Sequence, residues 1–216
     1  MSAKRKQTTG SDEAAQALLS RYRCPVPFHM IRTRFLGAIV SPVGEVSPLT
    51  VVKDLWGGNF PEFDSLGGLN QLLEILVLGL WNRLAMHQKR NNPFCLTRAT
   101  VPETVKGLST ISLMRRQEID GFVDGLFGAE ECIELPERGY RALGELGEIR
   151  AMLAGVYELV NNRHKASCED NASQLLGGIE RLTKIAEFEL NETVLSCVRA
   201  RKQMSHAFPV TKTRFH

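Results

Sequence analysis

The side chains best able to bind a metal or move a proton near neutral pH are five histidines, at 29, 87, 164, 206 and 216. The H-E-x-x-H spacing that sets two imidazoles on one helical face is absent. His87 follows an apolar stripe, so it is expected to be a hydrogen-bonded core or boundary histidine. Carboxylates gather at Glu118, Asp120 and Asp124, and Glu130, Glu131 and Glu134 follow. Such a cluster does acid–base work when one member is desolvated. On a helix it reads first as a solvated face. The Gly-Gly pairs at 57, 67 and 177 are not led into by a strand, and neither G-x-S-x-G nor G-x-x-x-x-G-K-S/T occurs. The cysteines at 24, 95, 132, 168 and 197 contain no C-x-x-C pair and lie too far apart for a zinc ribbon. Reduced thiols of a cytoplasmic protein fit them best. The expectation is therefore no catalytic residue, no cofactor and no metal ligand.

Charge offers a different chemistry. The net charge is +3, but residues 1–36 and 199–216 each carry +5 while residues 37–198 carry −7. Arg199, Arg201, Lys202, His206, Lys212 and Arg214 are interleaved with Phe208 and Phe215. Cations can follow phosphates while bases stack on rings, so this end is a candidate nucleic-acid contact. A solvated tail drawn to its own acidic body is the plainer reading. Trp56 and Trp81 close two apolar helices and are expected to be core anchors, with a partner-lined groove as the second reading.

The elements that must position these residues are read as helices. Hydrophobic residues make up 43% of the 216 positions, enough for a core without staples. Residues 1–24 are expected to be flexible or marginally helical, a frayed tail to residue 12 followed by a weak helix over Glu13–Arg21. Cys24-Pro25-Val26-Pro27 ends that segment. A helix follows over Phe28–Val40, and another starts at Ser47-Pro48 and stops at Gly57-Gly58. Ser65 caps a long helix from Leu66 to about Lys89, apolar all round from Leu76 to Leu80 and so expected at the centre of the bundle. Residues 94–111 read as a loop with room for one helical turn. Helix resumes near Leu113 with Met114, Ile119, Phe122, Val123 and Leu126 inward and Arg115, Arg116, Glu118, Asp120 and Asp124 outward. Gly125 and Gly128 weaken its end and make sense where another helix approaches closely. Pro136 starts a short helix to Leu143, Gly144 to Gly147 interrupts it, and Glu148–Leu159 resumes. Asn161 to Ser167 reads as a turn. The last helix, about Asp170 to Gln203, carries Leu175, Ile179, Leu182, Ala186, Leu190, Val194 and Cys197 on one side. It is expected to pack on its own body, although near-heptad spacing also suits a second copy.

This gives an all-α bundle of about six to eight helices: a segment 1–24, a helical domain 25–165, a long helix 166–203 and a basic tail 204–216. The most apolar window, Leu72–Trp81, contains Glu74 and is far shorter than the ~20 residues of a membrane span. No membrane partner is expected.

Read in order, R-F-L-G-A-I-V-S-P at 34–42, S-P-L-T-V-V-K-D-L-W-G-G at 47–58, L-W-N-R at 80–83 and E-I-D-G-F-V-D-G-L-F-G at 118–128 resemble the YecA/YgfB-like family of bacterial proteins. The resemblance covers roughly residues 28–160. It implies an all-helical fold, dimeric in some members, with no catalytic residues to carry over. Many members end in a cysteine-rich, zinc-binding tail similar to the end of the SecA translocase. Here residues 206–216 hold no cysteine, which removes the argument for zinc and for a link to secretion. The functional expectation is a cytoplasmic helical module that binds another protein, with itself as a homodimer among the partners. The alternative is a nucleic-acid-associated regulator that uses the basic ends.

Overall fold

The computed structural model describes the backbone of residues 2–43, 46–161 and 171–207, with side chains between Ser11 and Gln203 within those ranges. The fold is all-α and compact. Its helices are α1 (Ser2–Arg21), α2 (Phe28–Val40), α3 (Pro48–Asp54), α4 (Leu66–Leu73), α5 (Asn82–Ala85), α6 (Val105–Phe127), α7 (Glu137–Asn161) and α8 (Ala172–Ala207). A π-helical segment, Glu74–Trp81, joins α4 to α5, and a 3₁₀ turn, Met86–Gln88, follows α5. No described helix is long and apolar enough to cross a membrane.

The centre of the bundle is the pair α2 and α6, not the helix that begins at Leu66. From Phe35 to Val40 every residue of α2 is buried. Gly37, Gly121 and Gly125 bring the two backbones into contact. A Cβ on Gly125 would stand 2.8 Å from the Arg34 carbonyl carbon and 2.9 Å from the Ala38 nitrogen, and one on Gly37 would stand 2.7 Å from the Leu126 nitrogen. Glycine is required where helices touch through their main chains. The Ser41 hydroxyl then donates to the Leu126 carbonyl at 2.7 Å and ties the ends of the pair together.

Residues 66–88 bury one stripe only. Leu72, Leu76, Leu80 and Leu84 face inward, whereas Leu66 is 81% and Leu78 66% exposed. Positions four apart drift by about 40° per step on an α-helix, and the wider winding of Glu74–Trp81 counters that drift and keeps the four leucines in line. Ser65 caps the helix as expected, accepting from the Gly68 amide at 3.4 Å. Ser47 makes no side-chain cap, although Pro48 occupies the first turn as its fixed φ favours.

Four further expectations are corrected. The N-terminal segment is not a frayed tail: α1 starts at Ser2 and buries Ala15, Leu18, Leu19 and then Tyr22 against the core. Within 94–111 only the first part is extended; Thr104 caps α6 by accepting from the Gly107 amide at 3.3 Å, and Leu108 and Ile111 are buried on the helix. Gly144 and Gly147 do not break α7, because the buried side chains of Leu146, Ile149 and Leu153 hold its inner face. The last helix continues past Gln203 to Ala207 and, as expected, packs on its own body, with Ile179, Ala186, Leu190, Val194 and Cys197 buried. The expected turn at Asn161–Ser167 lies outside the described residues after Asn161.

Candidate functional site

Arg115 and Glu118, expected to face solvent, are 5% and 0% exposed. They form an ion pair on the side of α6 that meets α8 and the non-helical strap from Lys89 to Thr104. Arg115 also donates through Nη2 to the Thr97 carbonyl at 2.7 Å and through Nε to Thr183 Oγ1 at 3.1 Å. Glu118 accepts from the Thr97 amide at 2.7 Å. Neighbouring side chains treat the rest of the strap alike. Asn191 accepts from the Phe94 amide at 2.8 Å and donates to its carbonyl at 2.9 Å, Glu187 accepts from the Leu96 amide at 3.0 Å, and Arg32 donates to the Cys95 carbonyl at 3.3 Å. Main-chain groups of Phe94 to Thr97 are thus held by side chains rather than by a partner strand, while Phe94 and Leu96 point into the core. Both charges of the pair are engaged by protein, which makes this a clamp on the strap.

The remaining carboxylates are more open. Asp120 pairs with Arg150 and lies 3.9 Å from Arg116. Burial, and then the nearby Asp120 charge, push the Asp124 carboxyl up against the lowering effect of Arg34 and Arg150. His87 sits at the boundary as expected. Its Nδ1 is 2.9 Å from the Asn92 carbonyl, its ring stands edge-on to Phe94 at 5.4 Å, and burial lowers its pKa. Among the described residues no group of three or more His, Cys, Asp or Glu is placed to hold a metal ion.

Trp81 is buried edge-on against Phe35, with ring centroids 5.4 Å apart, and half-buried Trp56 donates through Nε1 to the Tyr22 carbonyl at 2.9 Å. Trp81 is thus a core residue, and Trp56 packs against the core while partly exposed. At the end of α8 Arg199 and Lys202 are exposed, whereas Arg201 is partly buried and donates to Gln88 Oε1 at 2.9 Å. Phe208, Lys212, Arg214 and Phe215 lie outside the described residues, as does the side chain of His206.

A surface that the sequence reading did not single out lies on α7 and the adjoining flank of α8. Leu146, Ile149, Leu153 and Val160 bury one side of α7. On the other side Gly147, Ala151 and Gly155 follow one another at four-residue steps, with Gly144 beside them. A Cβ added at Gly144, Gly147 or Gly155 would meet nothing within 4 Å. Tyr140 is 72% exposed, and Met152 and Leu159 are also exposed. Where α7 meets α8, Val156, Leu175, Gly178, Ile179 and Leu182 line an open groove of about 670 Å³ with Arg181 at its edge. Exposed Ile185 and Phe188 follow along α8.

The charges on this surface are uneven. Arg138 is paired with Glu192, Arg141 with Glu137 and Arg150 with Asp120. Glu145, Glu148, Glu158 and Glu189 have no ion-pair partner among the described residues. Burial, and then the Glu145 charge, push the Glu189 carboxyl up, while Arg138 lowers it and Glu192 raises it. The signal that could have found this face is the Gly147-x-x-x-Ala151-x-x-x-Gly155 spacing, hidden by reading the glycines as a helix break. Comparison with protein families, with curated proteins and with solved structures finds no match to the chain.

Proposed function

We propose that the chain is a cytoplasmic helical module that binds another protein through the outer face of α7. The observation that carries this reading is the set Gly144, Gly147 and Gly155. Glycine inside a helix costs up to about 1 kcal/mol relative to alanine. At Gly37, Gly107, Gly121 and Gly125 a close approach by the chain's own backbone accounts for it. At Gly144, Gly147 and Gly155 of α7 no described atom comes near, as at Gly177 and Gly178 of α8, and we read this small surface as shaped for a partner. The exposed Tyr140, Met152 and Leu159 add apolar area to the same side.

Membership of the YecA/YgfB-like family belongs to the same proposal and rests on the order of its motifs between residues 34 and 128. Exposed Arg199 and Lys202 support a second reading, contact with nucleic acid, with Arg201 drawn aside to Gln88. The test of the main reading is affinity capture with the tagged full chain from its own lysate. A protein retained in stoichiometric amount supports the module; nothing retained overturns it.

A further inference from the structure

From the shape and charge of this face we infer that its occupant is a basic amphipathic α-helix. This rests on the module reading and names the partner's chemistry. Gly147, Ala151 and Gly155 form a row four residues apart, with exposed Met152 and Leu159 as a ridge beside it. A groove of that kind accepts the corresponding ridge of another helix, and the missing side chains let the two axes come unusually close. A strand or an irregular loop has no such cylindrical ridge to place there.

Charge fixes the sign of the partner. Every arginine of α7 is engaged, Arg138 by Glu192, Arg141 by Glu137 and Arg150 by Asp120. Among the described residues the carboxylates of Glu145, Glu148 and Glu158 on α7 and Glu189 on α8 have no ion-pair partner and outnumber Arg181 at the groove, and burial, then the Glu145 charge, push the Glu189 carboxyl up. Lysines or arginines on the flanks of an incoming helix would relieve that repulsion. A second copy docked by the same face would instead bring these acids towards one another, so self-pairing is the disfavoured occupant.

The experiment uses the purified full chain and a synthetic 21-residue helix-forming peptide with an Ala/Leu seam and lysine flanks, followed by fluorescence anisotropy. Its twin carries glutamate in place of lysine. The lysine peptide is expected to bind with saturation at one per chain and at least tenfold more tightly than its twin. The pair Gly147→Leu and Gly155→Leu is expected to weaken it at least tenfold while the far-ultraviolet circular dichroism keeps its helical amplitude. Equal binding of the two peptides overturns the inference, as does binding indifferent to the leucine pair. So does a dimer in sedimentation equilibrium that the leucine pair dissociates. Affinity capture separates this inference from the reading beneath it. If the leucine variant still retains the wild-type chain's partner, the α7 face falls and the module stands. If the wild type retains nothing, the module itself falls.

Discussion

Replacing Gly144, Gly147 and Gly155 together by alanine should stabilise the protein, whereas the single change Gly125→Ala should destabilise it. The three α7 positions have negative φ and no atom within 4 Å of an added Cβ, so alanine brings its helix propensity without a clash. Each contributes up to about 1 kcal/mol, roughly 2–3 kcal/mol in all. For a chain of this size that is a rise of about 5–10 °C in Tm. At Gly125 the new methyl would stand 2.9 Å from the Ala38 nitrogen, and the obstacle is backbone, which cannot rotate away. Parting α2 from α6 should cost about 1–3 kcal/mol or more. Thermal melting followed at 222 nm measures both. The same triple variant should bind the partner more weakly, because three methyls hold an approaching helix off. A triple variant that melts lower than the wild type would mean that α7 is already in close contact within the chain, and the reasoning would fail. A Gly125→Ala variant of unchanged Tm would refute the contact between α2 and α6.

Arg115→Met leaves Glu118 buried without its cation and the Thr97 carbonyl without a donor; breaking a buried pair in this way costs about 3–5 kcal/mol, and a urea midpoint close to wild type would show that the clamp does not hold the strap. His87 has its pKa lowered mainly by burial, so below about pH 6.5 the unfolded chain takes up the proton before the folded one. Its contribution to stability is complete above that value and is lost as the pH falls towards the lowered one. Urea midpoints between pH 7.5 and 5.5 should therefore fall more steeply for the wild type than for His87→Gln, and parallel slopes would exclude the effect. The buried Cys197 thiol is pushed up to about 11, whereas Cys95 and Cys132 are exposed. Brief alkylation at pH 8 with mass-spectrometric mapping should label Cys95 and Cys132 and spare Cys197 until urea is added; equal labelling would place Cys197 at the surface. Finally, Arg199→Glu with Lys202→Glu should leave partner capture unchanged, and its loss would move the interaction to the end of α8.

Much of the fold is legible because apolar steps and Gly/Pro punctuation agree. Phe28–Val40 lies between Pro27 and Pro42, and Leu175 to Cys197 keeps one side of α8 apolar over many turns. Where the reading failed, a local rule met a tertiary one. The apolar steps of α6 run through Leu108, Ile111, Ile119, Phe122 and Leu126, and Arg115 takes a slot in that series. A polar residue there hides its own burial, which depends on a strap 18 residues earlier in the chain. Gly144 and Gly147 look like a break because propensity is local, yet the leucines and isoleucine on the inner face outweigh them.

Helical glycine has two opposite meanings in this protein, and only geometry tells them apart. At Gly125 the missing side chain is filled by the backbone of α2; at Gly147 it is filled by no described atom. Both positions carry the same cost in helix propensity, and the first is accounted for by contacts that the folded chain itself makes. The second has no such account, and it recurs at Gly144 and Gly155 along one face of one helix. Gly177 and Gly178 of α8 are equally open, so what marks α7 is the four-residue spacing of Gly147, Ala151 and Gly155 on the side away from the core. Unpaired carboxylates flank that same side, so shape and charge select the same kind of partner from independent properties of the residues.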